Sequence, residues 1–284
     1  MKLISKIKTI ASNRAMGSAY LQWFGSKLVS GKPPRITLPG GGGQLGEWLS
    51  FSEYWSFQNI ISEPERLLVE RCLAGCARSK ATAFDIGANV GAFTCLAASL
   101  GYRVHSFEPI PETFCRLKNN VKFNGLLGSA QLNCLAVGKD QGLVTFHVKE
   151  NAAAINRMAL PGMVLPDSAT STQLVAVSSL DAYCSAESID RIDFLKLDVE
   201  GMEPFVLQGA KRLFIERRIA AVLIEICPGN LRAVGLSPGD LYHEFETIRY
   251  SPYVLTADGR PGAKLSLAEI AAIPLGNVVL LPDA

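Results

Sequence analysis

From about residue 82 the chain alternates two apolar patterns. Short apolar runs bounded by glycine and acids occur at about 82–87, 103–108, 131–137, 192–198 and 220–226. Between them, at about 90–100, 111–123 and 203–217, apolar residues recur at helical spacing. Continuous apolar runs mark strands covered on both faces. The rhythm predicts an α/β fold, a doubly wound, mostly parallel sheet with helices on both faces. Residues 143–149 and 174–180 add strand-like segments around 150–173, a stretch rich in alanine, proline and serine that fits nowhere in this rhythm. The run at 275–281 reads as a last buried strand.

Ser62-Glu63-Pro64-Glu65 has the form of a capping box, with proline in the first turn of the helix it opens. This start predicts a main domain over residues 62–284 and an N-terminal extension over 1–61. Within the extension, Leu3, Ile4, Ile7, Ile10 and Ala11 recur at helical spacing with lysines between, predicting a basic amphipathic helix over 2–16. Packing on the domain or on a partner subunit is the first reading of that helix. Weak contact of residues 1–16 with an anionic membrane surface is the second. Pro33-Pro34 and Gly40-Gly41-Gly42-Gly43 mark a flexible connection, and no Gly-Lys-Ser/Thr follows to make a phosphate loop.

Composition bounds the picture. A chain of 284 residues, 48% of them hydrophobic, buries a large core without disulfides or structural metal. Of its 28 basic and 26 acidic residues, seven basic and no acidic ones fall in 1–35, leaving a balance of −5 elsewhere. No nucleic-acid partner is expected. The seven cysteines include no C-x-x-C pair, which points to buried thiols in a reducing compartment, the cytoplasm. No apolar stretch is long enough to span a membrane, and the start lacks the continuous apolar run of a signal peptide.

The chemistry concentrates at strand ends. Phe84-Asp85-Ile86-Gly87-Ala88-Asn89-Val90-Gly91 is a strand, a tight glycine turn and a helix start. Such a turn, at the carboxyl end of a strand in an open α/β sheet, is where these folds bind nucleotides. Glu108 closes the next strand, 21 residues beyond Gly87, where a carboxylate accepts both hydroxyls of a ribose. A dinucleotide fingerprint needs G-x-G-x-x-G; here Asn89 and Ala92 stand in the second and third glycine positions. A ligand without phosphates, with Asp85 near its amino group, fits better and points to S-adenosylmethionine. Asp198 and Glu200 end a further strand at the same sheet edge, Glu225 ends another, and Glu203 reads as a helix-capping carboxylate.

Together with Phe107-Glu108-Pro109-x-Pro111, Leu195-Lys196-Leu197-Asp198-Val199-Glu200-Gly201-Met202-Glu203 and Val206-Leu207-Gln208-Gly209-Ala210, these motifs resemble the FkbM family of methyltransferases over roughly residues 62–228. The resemblance implies a class I methyltransferase (Rossmann-like) fold, S-adenosyl-L-methionine as cofactor, and O-methylation of a sugar, polysaccharide or secondary metabolite. By match, Asp85, Gly87, Asn89 and Gly91 hold the methionine end and Glu108 the ribose, with Asn133 and Ala136 nearest the adenine pocket. A hydroxyl acceptor needs a general base, and Asp198 or Glu200 is the first candidate, Glu225 the second. His147 reads as an ordinary strand residue. No metal is assigned, although three oxygen ligands from Asp198, Glu200 and Glu225 would suit magnesium or calcium.

Three other readings stay open on the sequence: a nicotinamide-dependent oxidoreductase, a non-catalytic S-adenosylmethionine-binding module, and a membrane-surface scaffold built on the basic start. The acceptor, a small molecule or glycan, and the oligomeric state, a homo-oligomer included, are not fixed by these residues.

Overall fold

The sheet is assembled around two neighbouring parallel strands whose connections run to opposite sides. The computed structural model describes residues 14–30, 32–46, 54, 57, 60–76, 81–148, 157–158 and 171–283. The extension contributes helix α1 (Arg14–Ser30) and the short strands β1 (Ile36–Thr37) and β2 (Gln44–Leu45). Helix α2 (Glu63–Ala74) leads into β3 (Thr82–Ile86), α3 (Ala92–Leu100), β4 (Arg103–Phe107), α4 (Pro111–Phe123) and β5 (Ala130–Asn133). A second sheet follows from β6 (Ala136–Val137), β7 (Gly142–Val148), β8 (Arg157–Met158) and β9 (Ser171–Ser178). Then come α5 (Leu180–Ala186), β10 (Phe194–Leu197), α6 (Glu203–Gly209), α7 (Lys211–Ile215) and β11 (Val222–Ile226). The chain ends with α8 (Pro228–Ala233), α9 (Pro238–Ile248), β12 (Tyr250–Leu255), β13 (Pro261–Lys264), α10 (Leu267–Ala272) and β14 (Gly276–Pro282).

The main sheet has eight strands in the order β13-β12-β14-β11-β10-β3-β4-β5. Strands β11, β10, β3, β4 and β5 are parallel, and β14 enters antiparallel between β11 and β12. Chain order reverses between β3 and β10, which opens a crevice at their carboxyl ends. Ala83, Phe84 and Ile86 of β3 and Phe194, Leu195 and Leu197 of β10 are buried, as strands covered on both faces require. The result is a mixed sheet between helices, with its parallel half as the sequence rhythm predicts.

Several expected elements change at their ends. The run 131–137 is not one strand: β5 stops at Asn133 in the main sheet and β6 starts at Ala136 in the second. Helix 203–217 divides at Ala210, whose φ of −112° breaks the helical path. There Gly209 lies so close to Gly138 that a Cβ would stand 2.0 Å from its carbonyl oxygen. The strand-like segments at 143–149 and 174–180 pair as antiparallel β7 and β9. Most of 150–173 lies outside the described residues, as does all of 2–16 ahead of Arg14.

Gly40–Gly43, expected as a flexible connection, form a built turn instead. Leu38 N–H donates to the Gly43 carbonyl at 2.9 Å. Asn124 Oδ1 accepts from Gln44 N–H at 2.8 Å while its amide donates to the Gln44 carbonyl at 2.8 Å. Ala19, Trp23, Ile36, Leu38, Leu45, Tyr54, Phe57 and Ile61 are buried in one cluster with Ala88, Val90, Ala92, Cys95, Leu96, Leu117 and Val121. The extension thus shares its core with the glycine turn.

Candidate functional site

Strand register puts a polar row into an apolar sheet. Ser106, Asp85 and Lys196 stand side by side across β4, β3 and β10, and Glu225 lies opposite Asn277 on β11 and β14. Above this row the crevice opens into a cavity of about 310 Å³. Asp85, Gly87, Asn89, Glu108, Ala136, Asp198, Glu200 and Glu225 all line it. The structure therefore brings together eight of the ten residues singled out from sequence.

The two that do not line it have other tasks. Gly91 precedes α3 at φ 89°, and a Cβ there would lie 2.4 Å from Leu117 Cδ1, so it lets α3 and α4 close up. Asn133 donates its amide to the Ser106 carbonyl at 3.1 Å, tying β5 to β4. Gly87, which does line the cavity, also admits a close backbone approach. At φ 81° its Cβ would stand 1.8 Å from the Asp198 carbonyl oxygen, so the backbone it admits is that of β10's end.

Glu108 is buried and held at both oxygens. Its Oε2 accepts from Asn89 N–H and its Oε1 from Ile110 N–H, each at 3.0 Å. Each oxygen keeps a second lone pair, the arrangement that takes two vicinal hydroxyls. Burial pushes its carboxyl up to about 7 against the pull of those two N–H groups. Asn89, in the left-handed region at φ 51°, has its Oδ1 buried without a hydrogen-bond partner among the described residues. A buried amide oxygen with no donor fits a cavity completed by a polar ligand.

Asp85 is anchored rather than presented. Thr94 Oγ1 donates to its Oδ2 at 2.5 Å, and Thr94 and Ser106 share a hydrogen bond of 2.7 Å. Burial raises its carboxyl to about 6, opposed by Thr94 and by the charge of Lys196.

Lys196 is the element the sequence reading passed over. Its ammonium donates to Asp198 Oδ2 at 3.0 Å. Burial disfavours its charge, but Asp198, Glu225 and Glu65 outweigh that and hold it above the ordinary lysine value. Asp198 is a third exposed and its Oδ1 takes no hydrogen bond among the described residues. Glu225 is driven up to about 8, by burial first and then by Asp198, with Lys196 opposing. Glu200, at φ 57°, accepts from Asn230 Nδ2 at 2.7 Å. Glu203, expected as a helix cap, instead ties the loop ahead of its helix, accepting from Val199 N–H at 3.1 Å and Gly201 N–H at 3.3 Å.

Lys196, Glu65, Asn277, Phe57, Ile60, Ile61 and Phe146 also line the cavity. Glu65 caps α2 and accepts from Asn277 Nδ2, which joins the extension side of the cavity to β14. Its place at the third position of the Ser62 capping box was legible, its second task was not. No three of His, Cys, Asp and Glu among the described residues converge as a metal-holding group. In this arrangement Lys196 engages Asp198 and Asn230 engages Glu200.

A family model described as the methyltransferase FkbM domain matches residues 85–250. The chain is 24% identical over 210 residues to the hexuronic acid methyltransferase AglP of Haloferax volcanii, covering 73% of this chain and 80% of that protein. Among solved structures it is similar to an S-adenosylmethionine-dependent methyltransferase from Agrobacterium tumefaciens, with a TM-score of 0.49, 10% identity, and coverage of 88% and 69%. It is also similar to magnesium protoporphyrin IX methyltransferase from Synechocystis PCC 6803 with bound S-adenosylmethionine, with a TM-score of 0.42, 10% identity, and coverage of 78% and 79%. With motifs, sheet order and matched span in agreement, this chain belongs to the FkbM family of S-adenosylmethionine-dependent methyltransferases.

Proposed function

We propose that this methyltransferase acts on a hydroxyl oxygen of a sugar, with Asp198 as the base that takes the proton. The observation that carries it is the state of Asp198, one oxygen fixed by Lys196 and the other open, in the cavity that also holds Glu108. The likeness to a hexuronic acid methyltransferase supports a glycan acceptor, and so does a lining of Glu65, Glu200, Glu225 and Asn277, all hydrogen-bonding groups suited to a polyol.

Glu108 and Asn89 fit the nucleoside and methionine parts of the donor by the lone pairs and the orphaned oxygen described above. Ala136 and Ile110 supply apolar surface beside Glu108 for a base. When bound, S-adenosylmethionine supplies a methyl group on a sulfonium, whose loss leaves a neutral thioether. The chain's task is then positional and acid–base. Lys196 holds Asp198 in one rotamer, and Asp198 accepts the hydroxyl proton as the oxygen's lone pair forms its new bond to carbon. Burial and the charge of Asp198 push the Glu225 carboxyl up to about 8, which favours its neutral form beside the base. Glu200 stands at the rim on Asn230 and is the second candidate for base.

The same reading takes residues 62–284 as the catalytic domain, with the extension packed upon it. All seven cysteines are free thiols, in keeping with a cytoplasmic enzyme. No helix of the described residues is long and apolar enough to cross a membrane.

The test is transfer of a tritium-labelled methyl group from S-adenosylmethionine to a panel of sugars, with the wild type and Asp198→Asn. Label in a base-stable ether, lost in the variant, is expected. Label only in a base-labile ester or an amine contradicts the hydroxyl acceptor.

A further inference from the structure

Helix α1 is apolar on two faces. Ala19 and Trp23 are buried in the cluster that includes Ala88, Val90 and Ala92 of the glycine turn. Trp23 packs on Tyr54 with ring centres 5.4 Å apart, and the Tyr54 hydroxyl donates to Gln22 Oε1 at 3.2 Å. That face fixes the helix to the domain. On the other side Leu21, Phe24 and Leu28, three and four residues apart, are 73%, 53% and 72% exposed, and Tyr20 stacks on Phe24 at 6.2 Å. A helix resting on a domain and facing only water carries polar residues there. A contiguous exposed apolar patch marks a contact surface.

Charge identifies the partner. Lys27 stands in the last turn of α1 with its ammonium 5.0 Å from the Trp23 ring centre, Lys32 lies just beyond the helix, and residues 1–35 hold seven basic and no acidic residues. Symmetric pairing with a second copy would set this basic stretch against itself. An anionic bilayer supplies both requirements, an apolar boundary for leucine and phenylalanine and negative headgroups for lysine. We propose that the outward face of α1 docks the enzyme on an anionic membrane surface, with Leu21, Phe24 and Leu28 inserted at the interface. The contact differs from the one considered for residues 1–16. It is independent of which acceptor is methylated.

Sedimentation of the full chain with vesicles tests it, comparing phosphatidylcholine alone with phosphatidylcholine containing phosphatidylglycerol. The expected result is binding to the anionic vesicles only, reversed by salt of about 0.5 M. Leu21→Ser/Phe24→Ser/Leu28→Ser should weaken that binding about tenfold or more, with S-adenosylhomocysteine affinity unchanged as evidence of an intact fold. Failure of the wild type to bind anionic vesicles, or equal binding by the triple variant, overturns the proposal. So does a wild-type dimer in light scattering that the triple variant converts to monomer, since a second copy then occupies the face.

Discussion

Gly87 stands directly against the carbonyl of Asp198: a methyl group in its place would lie 1.8 Å from that oxygen. One contact therefore joins the end of β3, where the nucleoside turn begins, to the end of β10, where the proposed base sits. The two halves of the site are held at a fixed separation by the absence of a side chain.

Gly87→Ala should separate them. The substitution meets rigid backbone at a φ of 81°, so a loss of about 2–5 kcal/mol is expected, together with S-adenosylhomocysteine binding. Gly91→Ala should cost less, because its obstacle is the end of the Leu117 side chain, which can turn away. Chemical denaturation of the two variants, with and without ligand, checks the order.

Glu108 should make cofactor binding depend on pH. Its carboxyl, raised to about 7, must be ionised to accept two hydroxyls while holding Asn89 and Ile110. Affinity for S-adenosylhomocysteine should fall about tenfold for each pH unit below that value. Glu108→Gln should bind about 10- to 100-fold more weakly and lose the pH dependence. Calorimetry between pH 5.5 and 8.5 measures both.

Glu225 should tie the stability of the fold to pH. Its folded value of about 8 lies above the ordinary 4.5, so the protonated form is favoured in the folded chain. The stability tied to that proton is complete below about 4.5 and is lost as pH rises towards and through 8. Glu225→Gln keeps the neutral form at every pH. The variant should lose less stability than the wild type between pH 6 and 9, read from melting temperatures, and should retain most activity at pH 7.

Asp198→Asn removes the proposed proton acceptor and keeps the shape. Turnover should fall by about 10²–10⁴-fold with donor affinity changed less than about threefold. Glu200→Gln should lose far less. A larger loss in Glu200→Gln would transfer the base to that residue.

Much of this site is local in sequence and was legible there. Asp85, Gly87 and Asn89 share one turn, Glu108 ends the adjacent strand, and Asp198, Glu200 and Glu203 share one loop. Lys196 was not legible because it lies inside an apolar strand, and only the register against Asp85 shows what it faces. Asn277 and Glu65 are joined across 212 residues, a contact no local pattern reports. The break in 131–137 was hidden for a related reason: Ala136 and Val137 continue the apolar run while pairing in a different sheet. Residues 228–272 lie outside the alternating strand–helix rhythm, although Ser237 with Asp240 and Ser266 with Glu269 are capping boxes visible in the sequence.

The most direct test of the account is a crystal structure with S-adenosylhomocysteine bound. The expected result has the Glu108 carboxylate accepting from both ribose hydroxyls, Asn89 Oδ1 accepting a donor, and the sulfur turned towards Asp198. A nucleoside bound elsewhere, or a Glu108 side chain directed away from the sugar, would contradict it.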